Sequence, residues 1–187
     1  MPKVCIVYHS GFGHTEFVAK AVARGVEQTG IQGQLIKISA EGKIQENEWQ
    51  DLENAQGIIF GTPTYMGGAS AQFKIFADSS SKAWFNRKWV DKLAGGFTNS
   101  GSLSGDKLTT LQYLSVFASQ HGMLWISNHL LTEGKNDNNL NRMGSWLGVM
   151  AQSDNAPASE TNPPQGDIRT AEEYGKRVAE AVKRWNK

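Results

Sequence analysis

The feature that most restricts the fold of this chain is its N-terminal unit, in which a short apolar run ends in a glycine-rich turn before an amphipathic segment. Residues 3–8 are apolar and rich in β-branched side chains, as in a strand buried on both faces of a parallel sheet. From Thr15 to about Gln28 apolar residues recur three or four positions apart, which predicts a helix that ends near Gly30. A strand joined to a helix by so short a turn is typical of α/β proteins.

The same alternation of strand and helix continues along the chain. We predict further strands over residues 33–38, 57–60, 93–98 and 122–127. We predict helices over residues 69–85, 106–120 and 167–185, and a short polar helix or turn over 49–55. Five strands that alternate with helices indicate a doubly wound α/β fold, with a five-stranded parallel sheet covered by helices on both faces.

The length of the chain, 187 residues, fits a single domain over residues 1–187. Between about residues 128 and 166 the chain is rich in Asn, Ser, Gly and Pro, and no regular element is predicted there. A structureless connection of this length is uncommon inside a compact domain. We therefore expect this segment to be functional, packed against a neighbouring subunit, or partly mobile.

Composition excludes several classes of protein. Lys and Arg number 19 against 18 Asp and Glu, so nothing favours nucleic acid or an anionic membrane as the main partner. Apolar runs are far shorter than the ~18 residues that a membrane span needs. The single cysteine, Cys5, cannot form an intrachain disulfide, and with no leader-like segment before it we expect a buried thiol in a cytoplasmic protein. No histidines or cysteines have metal-ligand spacing, so no metal is expected.

The turn after the first strand has the composition of a phosphate site. Ligands of open α/β sheets bind beyond the carboxyl ends of the strands, and free N–H groups at the start of a helix favour an anion there. Neither a dinucleotide fingerprint nor a P-loop is present, because Glu16 replaces the third glycine and no Gly-Lys-Ser/Thr occurs. The alternative is an ordinary glycine-rich turn with a hydroxyl cap. The candidate phosphate-binding residues are Ser10, Gly11, Phe12, Gly13, His14 and Thr15.

Two more loops at predicted strand ends have unusual compositions. The loop after the third strand, in which a proline is expected to end the strand, presents an aromatic ring and a thioether and could lie flat against a planar ligand. Its candidate residues are Pro63, Thr64, Tyr65, Met66 and Gly67. The loop after the fourth strand is uncharged and rich in small donors and acceptors, which suits the polar edge of a heterocycle. Its candidate residues are Asn99, Ser100, Gly101, Ser102, Leu103, Ser104 and Gly105. Either loop alone could be an exposed turn, but three at successive strand ends favour one ligand site.

These motifs, together with His121-Gly122-Met123, resemble the flavodoxin-like proteins. They are most similar to the tryptophan-repressor-binding-protein type of NAD(P)H:quinone oxidoreductase, from about residue 3 to 127. The resemblance implies a flavodoxin-like sheet with strand order 2-1-3-4-5, FMN as cofactor, and NADH or NADPH as hydride donor. The chain departs from the family where Tyr65-Met66-Gly67 replaces the usual Arg-Phe-Gly and where Leu103-Ser104 interrupts a glycine-rich loop.

The resemblance also implies roles for individual residues. The first loop would hold the FMN phosphate, the third-strand loop would lie along the isoalloxazine, and the fourth-strand loop and His121 would lie near its pyrimidine end. His121 and the Tyr65 hydroxyl are the polar groups implied to take part in catalysis, although His121 alone could equally be structural. Phe12, Trp84 and the loop that contains Trp146 would border the substrate pocket, either within one copy of the chain or with a contribution from a neighbouring subunit.

We therefore predict an FMN-dependent enzyme that takes hydride from NAD(P)H and passes two electrons to a quinone-like acceptor. The resemblance implies a homodimer or homotetramer. One alternative is a flavodoxin that carries single electrons, although such carriers commonly have an acidic docking face and this chain has balanced charges. A non-enzymatic FMN-binding module is the other alternative.

Overall fold

The strands of this protein form one mainly parallel sheet in a computed structural model that describes residues 2–186. The strands are β1 (Lys3–Tyr8), β2 (Gln32–Lys37), β3 (Gly57–Tyr65), β4 (Gly68–Ala69), β5 (Leu93–Ser100), β6 (Leu124–Trp125) and β7 (Val149–Gln152). The main path runs β2-β1-β3-β5-β6, with every pair parallel. Because β5 and β6 are the predicted fourth and fifth strands, the predicted order 2-1-3-4-5 is confirmed.

Helices cover both faces of the sheet, as predicted. They are α1 (His14–Glu27), α2 (Glu46–Asn54), α3 (Ala71–Ser79), α4 (Ser81–Phe85), α5 (Lys107–Gln120) and α6 (Gln165–Trp185). Side chains of β1 alternate between two cores, since Val4 and Ile6 pack with α1 and α6 while Cys5 and Val7 pack with the other helices. A strand apolar on both faces is thus buried on both faces, and the Cys5 thiol is buried as predicted.

The third strand is longer than predicted, because Pro63 does not end it. The proline lacks an N–H and removes a single donor from the ladder, while pairing with β5 continues to Pro63 opposite Asn99. The chain then reverses at Met66 and Gly67, both with positive φ (48° and 81°), and returns as β4 antiparallel to β3. The predicted third-strand loop is therefore largely a strand and a tight hairpin.

The predicted fifth strand is split in two. β6 has only two residues and pairs with the start of β5, whereas β7 pairs with β5 from Phe97 to Ser100. Residues 126–148 are inserted between these two halves of one sheet edge. This result corrects the expectation of a strand over 122–127 followed by no regular element over 128–166.

The predicted helix over residues 69–85 is interrupted at Ser80. The Ser80 hydroxyl donates to the carbonyl of Ala77 at 2.6 Å, and its backbone N–H is shared among carbonyls of the last turn of α3. Such competition by a serine hydroxyl is a common cause of helix breaks. The chain then continues as the separate helix α4.

Helices α1 and α6 cross in direct backbone contact at two glycines. A Cβ at Gly25 would lie 1.8 Å from the carbonyl oxygen of Glu172, and one at Gly175 would lie 2.1 Å from that of Val22. No side chain fits at either position, so glycine is required for this crossing. The crossing fixes α1, whose first turn lies at the ligand crevice.

Candidate functional site

A crevice of about 440 Å³ lies at the edge of the sheet where the parallel strands have their carboxyl ends. Four chain segments meet there, namely the turn after β1, the end of β3, the end of β5 and the segment after β7. The lining residues that the sequence predicted are Phe12, His14, Thr15, Pro63, Thr64, Tyr65, Asn99, Ser100 and Gly101. This is the position at which doubly wound sheets bind nucleotides and flavins.

The turn after β1 presents unpaired amides to this crevice. Gly13 adopts φ 93° immediately before α1, a left-handed conformation that favours glycine. Within residues 2–186, the backbone N–H groups of residues 10–15 donate to no acceptor. The Ser10 hydroxyl oxygen accepts from the N–H of Glu16 at 3.1 Å, so its own proton remains available as a donor. Unpaired amides at a helix N-terminus, with hydroxyls beside them, form an anion site.

Charged groups near this turn leave it free for an anion. Glu16, in the first turn of α1, is bound by Lys37 at 2.6 Å and by Lys20 at 2.9 Å, and these contacts lower the pKa of its carboxyl. His14 Nε2 lies 2.9 Å from the carbonyl oxygen of Ala156 and 3.2 Å from the Asn162 side-chain nitrogen, so this ring is tied to the segment after β7. No carboxylate of the turn is therefore unpaired.

Two aromatic rings stand at the mouth of the crevice. Phe12 is 79% exposed and Tyr65 is 38% exposed, and their rings meet edge to face with centroids 6.2 Å apart. A Cβ at Gly11 would lie 2.6 Å from the Tyr65 hydroxyl, so the tyrosine lies directly over the turn after β1. Burial raises the pKa of Tyr65, which keeps the phenol protonated at neutral pH. Exposed aromatic rings of this kind can stack on a planar ligand.

The segment after β7 forms the fourth wall, which the sequence analysis missed. Ser153 binds the end of β5 twice, through its N–H to the Ser100 carbonyl at 3.1 Å and through its hydroxyl to Asn99 Oδ1 at 3.0 Å. The other lining residues of this wall are Asp154, Asn155, Ala156 and Pro157. The sequence offers only a weak signal for it, a three-residue apolar run, Val149-Met150-Ala151, followed by Gln152 and a polar Ser-Asp-Asn stretch.

Several predicted residues do not line this crevice within one copy of the chain. His121 follows the last residue of α5, a helix of 14 residues and about 21 Å, whose other end adjoins the fourth-strand loop. Trp84 and His121 line a separate cavity of about 290 Å³. Trp146 lines another of about 580 Å³ with Leu108 and Met150. Leu103 and Ser104 line a neighbouring cavity on the outer side of their loop.

His121 is a buried, neutral imidazole. Its Nε2 lies 2.9 Å from the Ser80 hydroxyl, which itself donates to the Ala77 carbonyl, so Nε2 is the donor and Nδ1 is an unprotonated acceptor. Nδ1 has no partner within residues 2–186, and burial lowers the pKa of the ring to about 4. The ring packs on Trp89 with centroids 4.2 Å apart.

A larger cavity, of about 700 Å³, lies between β6 and α6, at the opposite edge of the sheet. Its lining includes Trp125 and Trp185 and side chains of both charges, such as Glu173 and Arg177. It has no run of free backbone amides comparable to the turn after β1.

The described helices include none with the length and hydropathy to cross a membrane. Residues 2–186 also contain no group of three potential His, Cys, Asp or Glu metal ligands.

The sheet order and the anion-binding turn beside an aromatic-walled crevice define a flavodoxin-like flavoprotein. The chain belongs to the family described as NADPH-dependent FMN reductase, whose profile matches residues 3–137. Its relatives include Flavodoxin FldP of Pseudomonas aeruginosa, 44% identical with 96% of each chain covered. An NAD(P)H dehydrogenase (quinone) of Archaeoglobus fulgidus is 30% identical, over 98% of this chain and 99% of the relative.

A solved structure supports the same assignment. It is described as the flavodoxin, WrbA-like protein from Agrobacterium tumefaciens, and it is 47% identical, with a TM-score of 0.80 over 98% of this chain and 99% of that one. The predicted resemblance to the tryptophan-repressor-binding-protein type is confirmed. FMN and a nicotinamide nucleotide as cofactors, and the assignment to this class of oxidoreductase, are confirmed with it.

Proposed function

We propose that this protein uses FMN to transfer hydride from NADH or NADPH to a quinone-like acceptor. The observation that carries the proposal is the run of free amides at the start of α1, placed beside a crevice with exposed aromatic rings. A terminal phosphate fits the amides, and a planar ring system fits the crevice. The relative from Archaeoglobus fulgidus, named NAD(P)H dehydrogenase (quinone), supports the choice of acceptor.

In this proposal each wall of the crevice has one task. Bound FMN supplies the electron-transfer chemistry, and the protein supplies position and exclusion of water. The turn from Ser10 to Thr15 binds the phosphate through backbone N–H groups and two hydroxyls. The backbone of Asn99–Gly101 faces the polar edge of the ring system, and the Thr64 hydroxyl, bound to Thr98 and Thr110 at 2.8 and 2.7 Å, supports the strand behind it. Phe12 and Tyr65 hold a flat acceptor or the nicotinamide by stacking, and the Tyr65 hydroxyl donates to it.

The remaining predicted residues require a second copy of the chain. Trp84 is 41% exposed, about one helix length from the crevice, so it can border the acceptor only in the crevice of a neighbouring subunit. The role predicted for His121, in the same cavity, has the same requirement. The exposed Trp146 is proposed to lie near such a contact. This arrangement is consistent with the predicted homodimer or homotetramer, and we keep the cytoplasm as the expected location.

A one-electron carrier is the competing function, because the relative from Pseudomonas aeruginosa is named a flavodoxin. The two functions differ in how the flavin is reduced. An enzyme of the proposed type accepts hydride from the nucleotide directly, whereas a carrier needs a partner reductase.

The test is anaerobic titration of the FMN-loaded protein with NADH and, separately, with NADPH, followed by the visible absorbance of the flavin. We expect direct bleaching by at least one nucleotide, and ping-pong steady-state kinetics with benzoquinone, because donor and acceptor stack at one position. Phe12→Ala should lower kcat/KM for benzoquinone, whereas Phe85→Ala, at a residue of equal exposure outside the crevice, should not. Bleaching by neither nucleotide, with reduction only through a partner reductase, would establish the carrier instead.

A further inference from the structure

Lys107 is a fully buried lysine at the first turn of α5, directly after the fourth-strand loop. Its Nζ donates to the Ser100 hydroxyl oxygen at 2.8 Å, to the Ser102 carbonyl at 2.8 Å and to the Leu103 carbonyl at 3.0 Å. The Ser100 hydroxyl donates its own proton to the Ser102 carbonyl, so its oxygen is free to accept. An ammonium group has three N–H donors, and here each has a partner in the same loop.

The charges around Lys107 do not neutralise it. Asp167 of α6 and Arg142 of the inserted segment are the charged side chains that act on its pKa, in opposite directions. These two bind each other in a bidentate pair, Nε to Oδ1 at 2.8 Å and Nη2 to Oδ2 at 2.9 Å, and both are almost fully buried. The carboxylate of Asp167 is therefore already matched by a guanidinium, and the Lys107 ammonium lacks a counterion of its own.

The same buried pair reaches the fourth-strand loop through Gln152 of β7. The Gln152 side chain donates to the Gly101 carbonyl at 3.0 Å, while Arg142 donates to its Oε1 at 3.2 Å. Its backbone N–H donates to Asp167 Oδ2 at 2.9 Å. The loop is thus held at Gly101 from one side and at Ser100, Ser102 and Leu103 by Lys107. Ser100 and Gly101 also line the crevice, so this support lies immediately behind the proposed cofactor site.

We propose that Lys107 is a positioning residue for the cofactor, because its ammonium holds the Ser100–Leu103 loop in the conformation that faces the flavin. The inference rests on the proposed FMN site. Residues 101–103 are exposed and uncharged and have little packing of their own, so three charge-assisted hydrogen bonds from one buried group can set the shape of the loop. A neutral amine has only two N–H donors for the same three acceptors, and the loop loses one of its anchors.

The pKa of Lys107 gives this role a pH dependence. Burial lowers the pKa from 10.5 to about 8. Below that value the ammonium is present and holds the loop; above it the amine is neutral. Cofactor affinity should therefore fall as pH rises through about 8. The folded protein should not lose stability in the same range, because a lysine whose pKa is lowered by folding opposes folding while it is charged.

The experiment compares FMN dissociation constants of the wild type and of Lys107→Met by fluorescence titration at pH values below and above about 8. We expect the variant to bind FMN roughly tenfold or more weakly at about pH 7, with an affinity that no longer changes across that range. Titrations that both proteins share cancel in the comparison. The unfolding temperature of the variant should equal or exceed that of the wild type, because a buried unpaired charge is removed.

A matched control uses Lys92, a half-buried lysine at the other edge of the sheet, which caps carbonyls of Glu53 and Ala55. Lys92→Met should leave FMN affinity unchanged. If Lys107→Met binds FMN as tightly as the wild type, or loses affinity only together with a lowered unfolding temperature, the positioning role is wrong. Failure of the wild type itself to bind FMN would instead overturn the proposed function.

Discussion

At the scale of single residues, Thr15 is the sharpest test of the proposed phosphate site. Its side chain is 2% exposed in the first turn of α1, so Thr15→Val replaces a hydroxyl by a methyl group of similar size with little effect on packing. We expect FMN to bind about tenfold to hundredfold more weakly, from the loss of a charge-assisted hydrogen bond of about 1.5–3 kcal/mol. The measurement is fluorescence titration with FMN and, in parallel, with riboflavin.

Riboflavin provides the control in the same experiment, because it lacks the phosphate. Its affinity should be nearly the same for the wild type and for Thr15→Val. An equal loss for both ligands would show that Thr15 acts on the ring system or on the fold, and would contradict the assignment of this turn to the phosphate.

The buried imidazole of His121 makes a prediction about acid stability. Its folded pKa of about 4 is below the ~6.5 of an unfolded histidine, so the unfolded state binds the proton first. Stability is therefore lost as pH falls from about 6.5 to about 4, by roughly 3 kcal/mol for this group. His121→Gln should remove about that much of the acid-induced loss, measured by urea unfolding at about pH 7 and about pH 4. His129→Gln, at an exposed histidine, should retain most of it.

At the scale of secondary-structure elements, the crossing of α1 and α6 should reverse the usual effect of a Gly→Ala substitution on the free energy of unfolding. Alanine in place of a helical glycine usually stabilises by about 1 kcal/mol. At Gly175 the new methyl group would meet the backbone of Val22, which cannot move without separating the helices. We expect Gly175→Ala to destabilise by about 1–3 kcal/mol in chemical denaturation, as overpacked cores do. Lys176→Ala, one residue along the same helix, should change stability little.

At the scale of the whole molecule, the sheet and its order could be predicted because buried parallel strands leave continuous apolar runs in the sequence. The runs at residues 3–8 and 57–60 became the centre of the sheet. The four residues of β7 could not be found, since a strand so short is defined by its partner β5 rather than by its own pattern. The prediction that Pro63 ends the third strand was wrong for a related reason. One missing N–H donor does not determine where the pairing of a long strand ends.

Three walls of the candidate site could be predicted because the carboxyl ends of parallel strands meet at one edge. The fourth wall could not be predicted because it depends on β7. The contact of Lys107 with the fourth-strand loop could not be predicted either, because no local sequence pattern indicates that a charged side chain is buried. His121 lies outside the crevice of its own copy for a geometric reason. It lies beyond the far end of α5, and the length of that helix separates it from the loop that precedes it.

The split fifth strand also has a consequence for how the cofactor enters. β7 has four residues, pairs only with β5 and lies at the edge of the sheet. The segment that forms the fourth wall of the crevice follows directly after it. Detachment of β7 would expose the proposed flavin site and leave β6 and the sheet centre paired, so local opening costs less than unfolding. In amide hydrogen exchange of the FMN-free protein, residues 149–153 should exchange well before β5 and become protected when FMN is added. Exchange of both segments at one rate would mean that the pocket forms only with the entire sheet.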